Sequence, residues 1–273
     1  MLLYDYHIHT KYSFDGDASA TPRAICEAAI AKGLTSIAIT DHFEANSQAE
    51  GLYAPYDAKA AYSDIMQAKE DFKDKIHVSY GIEIGQASQY PDIANDFLRK
   101  YPVEFVLASL HNLKGKPDFY FMDFKSMPED EIISLCAEYF TEMKDMICAL
   151  DRVDSLAHIT YPCRYISQAG KTVDMSAFYD KISDIFRIMV ANNIALEVNT
   201  STYTKGLGFC MPDREIVYLY KECGGELVTV GSDAHSPSLI GSSSEYAEHI
   251  LRECGIKNIL VYSNGKKEQR KIN

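Results

Sequence analysis

A chain of 273 residues with 47% hydrophobic and 24% charged residues has the make-up of a folded globular protein, long enough to bury a sizeable core in one large α/β unit. Its formal net charge of -12 argues against nucleic acid as a partner, because binding to phosphate backbones needs a basic stripe that displaces counterions. No apolar run approaches the roughly 20 residues of a membrane span, and MLLYDYHIHT lacks the basic region and long apolar stretch of a signal peptide, so a cytoplasmic location is expected.

In chain order, short apolar and β-branched runs predict strands at Leu3–His9, Ser36–Thr40, His77–Ile84, Phe105–His111, Ser155–His158, Ala195–Asn199, Leu227–Ser232 and Asn258–Tyr262. Between them, helical patterns cover Pro22–Lys32, Asp57–Asp74, Ile93–Lys100, Glu129–Ala149, Ser176–Asn192, Asp213–Cys223 and Ser243–Cys254. Thr21 before Pro22 reads as an N-cap with proline at the first helical position, and Gly33, Gly224 and Gly255 fall where helices should stop. Repeated βα units imply a parallel sheet, and this many of them favour a barrel over an open sheet. Without a Pro-rich or Gly/Ser-rich linker, a low-complexity tract or a repeat, residues 1–273 are expected to form a single domain. The seven cysteines (Cys26, Cys136, Cys148, Cys163, Cys210, Cys223 and Cys254) are odd in number and include no CxxC pair, which fits reduced thiols better than a disulfide framework.

Histidine occurs only eight times, yet His7, His9, His42, His111, His158 and His235 all fall where a predicted strand ends. A parallel barrel gathers such residues at its C-terminal face, which points to a metal enzyme. His7 and His9 lie two apart on an extended strand, so both rings face one side and can reach one ion, although an isolated HxH also suits a polar strand face. Asp15, or Asp17 in the same loop, is a further candidate, with a turn before Gly16 as the plainer reading. In AITDHF, His42 is assigned as a ligand and Asp41, which can also cap a helix, as a catalytic-site group that orients a ligand by hydrogen bond. Glu83 stands between Ile82 and Ile84 on an apolar strand, where an inward charge is costly unless it is paired or metal-bound. His111 and His158 each end a small or apolar run and alone would pass for hydrogen-bonded core histidines. Asp233 and His235 repeat the two-residue spacing of His7 and His9, and closure of a barrel would make the two pairs neighbours. His77 and His249 do not fit the pattern and are expected at the surface.

The segments HIHTKYSFDG, TDH, GIE, SLH, AHIT and GSDAH, in this order and spacing, resemble the motifs of the PHP (polymerase and histidinol phosphatase) superfamily across nearly the whole chain. The resemblance implies a distorted (β/α)7 TIM-like barrel with its active site and three divalent metal ions at the C-terminal ends of the strands. By motif, His7, His9, Glu83 and Asp233 would hold the first ion, Glu83, His111 and His158 the second, and Asp15, His42 and His235 the third, with Glu83 bridging. Asp15 stands where some relatives use histidine. Zinc, manganese and iron all accept imidazole and carboxylate, so the sequence leaves the metal open.

The full length and the stretches HITYPCR and LEVNTS are more similar to the stand-alone histidinol-phosphate phosphatases than to the shorter or polymerase-attached members. This implies hydrolysis of L-histidinol phosphate, a step of histidine biosynthesis, by attack of a metal-bridging hydroxide, with Asp233 or His235 protonating the leaving alkoxide. Arg164 is a candidate for a phosphoryl oxygen, and Lys205 and Asn199 are weaker candidates for substrate contact. Phe119, Tyr120 and Phe121 either wall a substrate or pack their own loop. The alternatives are a phosphoesterase of the same superfamily acting on another small phosphate monoester or a nucleotide, and a metal- or partner-binding barrel without activity. An amidohydrolase barrel also begins with HxH, but it typically uses a carboxylated lysine, and no lysine here sits suitably. Oligomeric state is not legible.

Overall fold

The computed structural model describes residues 2–263 and 266–272. Along them run β1 (Tyr4–Asp5), α1 (Pro22–Ala31), β2 (Ser36–Ile39), β3 (His42–Glu44), α2 (Ala45–Glu50), α3 (Ala58–Asp71), β4 (His77–Gly85), α4 (Pro91–Lys100), β5 (Phe105–Ser109), α5 (Glu129–Ala149) and β6 (Ser155–Leu156). There follow α6 (Tyr161–Gln168), α7 (Tyr179–Ala191), β7 (Ala195–Asn199), α8 (Ser201–Thr204), α9 (Arg214–Glu222), β8 (Val228–Gly231), α10 (Ser244–Glu253), β9 (Asn258–Ser263) and β10 (Lys266–Lys271). The predicted cap is present: the Thr21 side chain accepts from Ala24 N at 3.2 Å, ahead of Pro22.

Seven strands form one parallel path, β1-β2-β4-β5-β6-β7-β8. Its two edges meet, because Tyr6 N donates to Val230 O and His9 N to Ala234 O, each at 2.8 Å, and Ile8 bridges Ala234 in parallel register. The sheet is therefore nearly closed into a distorted (β/α)7 barrel with the helices around it. Strand residues such as Ile37, Ile39, Val78, Ile82, Ile84 and Leu107 are fully or almost fully buried, as expected of parallel strands covered on both faces.

Regular pairing stops two residues short of the polar motifs. β1 ends at Asp5 before His7, β2 at Ile39 before Asp41, β5 at Ser109 before His111, β6 at Leu156 before His158, and β8 at Gly231 before Asp233. The strands are thus shorter than the sequence predicts, and the chain leaves the pleat where side chains must lean over the C-terminal rim. Two of these rim residues sit at positive φ, His158 at 22° and Asp233 at 54°, a conformation that favours glycine and is held only by surrounding structure.

β4 is the long staple of the site. It pairs with β2 along His77–Tyr80, then with the unpredicted β3 along Glu83–Gly85, and on its other side with β5. The β3 register sets His42 opposite Glu83 and Glu44 opposite Gly85. A Cβ at position 85 would lie 2.0 Å from Glu44 Oε2, so glycine is what lets the Glu44 carboxylate lie against β4.

The predicted strand at Asn258–Tyr262 exists but is not a barrel strand. It pairs antiparallel with β10, which the sequence reading did not find. This hairpin covers the N-terminal mouth of the barrel: Tyr6 Oη donates to Tyr262 O at 3.1 Å, and the Tyr262 ring packs edge-on against Phe105 at 4.8 Å. Tertiary contact, not strand propensity, decides where such a strand pairs.

Candidate metal centre

The rim residues converge. Glu83 Oε2 lies 3.3 Å from His7 Nε2, 3.5 Å from His9 Nε2 and 3.0 Å from His42 Nδ1, while its Oε1 lies 3.3 Å from His111 Nε2 and 3.1 Å from His158 Nε2. Asp233 Oδ1 is 3.8 Å from His7 Nε2 and 3.5 Å from His9 Nε2. Asp15 reaches His42 Nε2 at 3.7 Å and His235 Nε2 at 3.0 Å. The His9 ring lies flat between His42 and His235, with centroids at 4.3 and 4.1 Å.

These contacts are poor hydrogen bonds but a good cage. His7 Nε2, His9 Nε2, Glu83 Oε2 and His235 Nε2 are buried and make no hydrogen bond, which in a folded protein demands a missing partner. Four groupings bring ligand atoms within 4.8 Å of one another: His9, His42 and His235; His7, Glu83 and His158; His7, His9 and Asp233; and His42, Glu83 and His111. Buried imidazole and carboxylate sharing unfilled atoms suit divalent transition metals, so the donor set fits the group that the sequence implies.

Electrostatics divide the rings into ones already neutral and ones that must give up a proton to bind an ion. Burial pushes the His9 imidazole down to about 3, reinforced by His235 and His42, so it is neutral and free to donate a lone pair to a metal. Burial works the other way on Glu83, but His7, His42 and His111 hold its carboxyl well below the usual range. His111 is pushed up to about 10, because Glu44 and Glu83 outweigh its desolvation.

Sequence reasoning missed the groups that orient these rings. Glu197 Oε1 accepts from His7 Nδ1 at 2.7 Å, and its Oε2 accepts from His158 N at 2.8 Å. Glu44 Oε1 lies 3.0 Å from His42 Nδ1 and 3.1 Å from His111 Nδ1. A carboxylate behind an imidazole fixes the ring and raises its basicity as a ligand. Glu197 carried a signal equal to that of Glu83, a single charge between apolar Leu196 and Val198 on a buried strand. Glycine again makes room, since a Cβ at Gly231 would fall 2.3 Å from both Glu197 Oε1 and His7 Cβ.

Two predicted roles are corrected. Asp41 reaches no imidazole directly: it accepts from Thr10 N at 2.6 Å and from Ser13 Oγ at 3.0 Å, and only Ser13 touches His9, at Nδ1. Asp41 therefore ties down the loop after His9 and meets a ligand ring only through Ser13. Asn199 is fully buried and takes no part in the cleft wall, because its carbonyl accepts from Ser201 Oγ at 2.6 Å and its amide faces Glu197 at 3.3 Å. Asp17 is exposed and caps Ser19 N, so Asp15 is the residue of that loop that reaches the histidines. His249 is exposed and His77 is half-buried at the start of β4; neither joins the cluster.

Above the cluster opens a cleft of about 520 Å³. Arg164 is buried in its wall, with Nη2 on Asp233 Oδ2 at 2.9 Å, and its Nε makes no hydrogen bond. Lys205 lines the same cleft and is exposed. The aromatic triplet divides its labour: Phe119 is fully buried against Tyr139 and Phe124, whereas Tyr120 and Phe121 are 67% and 65% exposed and line the cleft.

Residues 5–201 match the PHP domain family. The chain belongs to the PHP family. This PHP protein is 27% identical over 258 residues to a Clostridium acetobutylicum protein named "Probable histidinol-phosphatase", a match covering 94% of this chain and 96% of that one. It is 25% identical over 277 residues to the histidinol-phosphatase of Lactococcus lactis subsp. lactis, covering 98% of this chain and 97% of that one. The fold matches the crystal structure of a histidinol phosphate phosphatase from Lactococcus lactis subsp. lactis, complexed with zinc, L-histidinol and phosphate. That match has a TM-score of 0.80 at 24% identity, over 97% of this chain and 98% of that one. Among the described residues, no helix of this PHP protein is long and apolar enough to cross a membrane.

Proposed function

We propose that this chain is a cytoplasmic, metal-dependent phosphomonoesterase that hydrolyses L-histidinol phosphate to L-histidinol and phosphate, with residues 1–273 acting as one domain. The observation that carries the reading is the convergence of six imidazoles with Glu83, Asp233 and Asp15 beneath one cleft whose wall holds Arg164. The names of the relatives point to the same substrate. His7, His9, Glu83 and Asp233 would hold one ion, Glu83, His111 and His158 a second, and Asp15, His42 and His235 a third. Divalent ions there, zinc, manganese or iron, supply an acidified water as nucleophile and a positive field for the phosphoryl oxygens.

The chain's own residues do the rest. Arg164 offers the phosphoryl group an N–H fork that Asp233 and the aromatic rings of Tyr161 and Tyr165 hold in place, with its carbon centre 5.3 and 5.9 Å from their centroids. Glu197 and Glu44 keep the imidazoles aimed as the substrate enters. At the cleft floor, His235 or Asp233 would take the proton that the attacking water gives up and relay it to the leaving alkoxide oxygen.

Phosphate release from L-histidinol phosphate, beside a panel of sugar phosphates and nucleotides, tests this with zinc-, manganese- or iron-reconstituted protein. A large preference for L-histidinol phosphate is expected. Equal rates across the panel, or a preference for a nucleotide, would overturn the substrate, and no release from any ester would overturn the chemistry.

A further inference from the structure

The cleft wall carries charge of both signs outside the ligand sets. Arg164 and Lys205 suit a phosphate dianion. Asp118 is the one carboxylate of the cleft wall, among the described residues, that belongs to none of the ligand sets assigned above. Asp118 is half-buried, and among the described residues no cationic side chain forms an ion pair with it. Its recorded hydrogen bonds both fall on Oδ1, from Tyr120 N at 2.8 Å and Tyr161 Oη at 3.4 Å, which leaves Oδ2 for another donor. The exposed rings of Tyr120 and Phe121 line the same cleft, apolar surface left uncovered in a polar site. Tyr161 stands between the two charges: its hydroxyl meets Asp118, and the cation of Arg164 lies against its ring.

A half-buried carboxylate with a free oxygen, in a cleft also lined by exposed aromatic rings, is complementary to an organic cation, which can gain both a charge-assisted hydrogen bond and cation–π contact there. We propose that Asp118, with Tyr120 and Phe121, is the specificity determinant for the cationic part of the alcohol, the ammonium or imidazolium of an amino-alcohol phosphate, while Arg164 takes the phosphate. This rests on the phosphatase reading above and assigns its substrate selectivity to named residues. A neutral or anionic alcohol would leave the Asp118 charge half-desolvated and unpaired, so the cleft rejects sugar phosphates as well as accepting cations.

The test compares Asp118→Asn with the unaltered zinc-loaded enzyme on two esters, L-histidinol phosphate and the uncharged-alcohol ester phenyl phosphate. Asparagine preserves the hydrogen bond to Tyr120 N and removes the charge. Loss of a hydrogen bond to a charged group, about 1.5–3 kcal/mol, predicts a roughly 10- to 100-fold fall in the ratio of kcat/KM for the cationic over the neutral ester. The loss should appear mainly in KM, and Asp118→Ser, which also keeps a capping oxygen, should behave alike. If the unaltered enzyme prefers L-histidinol phosphate and both variants keep that ratio, the proposal falls and the phosphatase reading stands. If the unaltered enzyme shows no preference for the cationic ester, the substrate reading falls and this proposal with it.

Discussion

Replacing Glu197 by glutamine isolates the orienting role of a residue that touches no substrate. Besides the Asn199 amide, the carboxylate serves His7 Nδ1 on Oε1 at 2.7 Å and His158 N on Oε2 at 2.8 Å, in a site where Glu197 is 1% exposed. An amide of the same shape has one acceptor oxygen, so whichever way it turns, one of these two donors faces an NH2 group. The lost charge-assisted bond is worth about 1.5–3 kcal/mol, and an unsatisfied buried donor costs about 1–3 kcal/mol. Spread over metal-free and metal-loaded states, this should weaken metal binding about 10- to 100-fold, the usual consequence of removing a partner behind a ligating histidine. Competition against a chromophoric chelator, starting from metal-stripped protein, measures the affinity, and thermal unfolding of the stripped protein shows whether the barrel itself is intact. An unchanged metal affinity in an intact Glu197→Gln barrel would refute the claim that this carboxylate sets the His7 ring.

Glu83→Ala should lose metal and activity together, because five imidazoles face the one carboxylate; full metal content with normal turnover would show that it bridges nothing. Arg164→Ala should lower kcat/KM by about 10- to 100-fold through KM while metal content holds, since Arg164 pairs with Asp233 Oδ2 and the imidazoles face Oδ1. A specificity constant equal to that of the unaltered enzyme removes Arg164 from the phosphate site. Gly85→Ala places a methyl group 2.0 Å from Glu44 Oε2 and should displace that carboxylate from His42 and His111, read as reduced metal content. Normal metal content would mean that β3 shifts freely against β4.

The barrel was legible because parallel βα units impose a coarse alternation that survives errors at element ends. Glu129–Ala149 and Ala195–Asn199 came out with the bounds that the structure gives. What escaped was whatever depends on register or on contact across the fold. β3 is three residues of HFE that extend only because β4 offers them a free edge, and β10 is a polar, mostly charged run whose pairing is fixed by β9. The metal-facing polar residues were legible as well, since histidine, aspartate and glutamate at the ends of apolar strands are costly anywhere else. Their supports were not: Glu44 reads as a loop residue in sequence, and only the pairing with Gly85 brings it under two rings. Asn199 shows the converse error, a polar residue at a strand end that was given to the substrate although its bonds are spent on Ser201 and Glu197.

Glu44 has one further implication, for how such a centre can change over generations. Its single oxygen braces rings that come from two different stretches of the chain, His42 and His111, and it fits only because position 85 has no side chain. A substitution at 44 unsettles both rings together, and no compensating change at 42, 85 or 111 alone restores both. These positions are locked into a joint solution, so descendants of this sequence can drift freely on the helical exterior while this corner of the rim can move to another solution only through several coincident replacements.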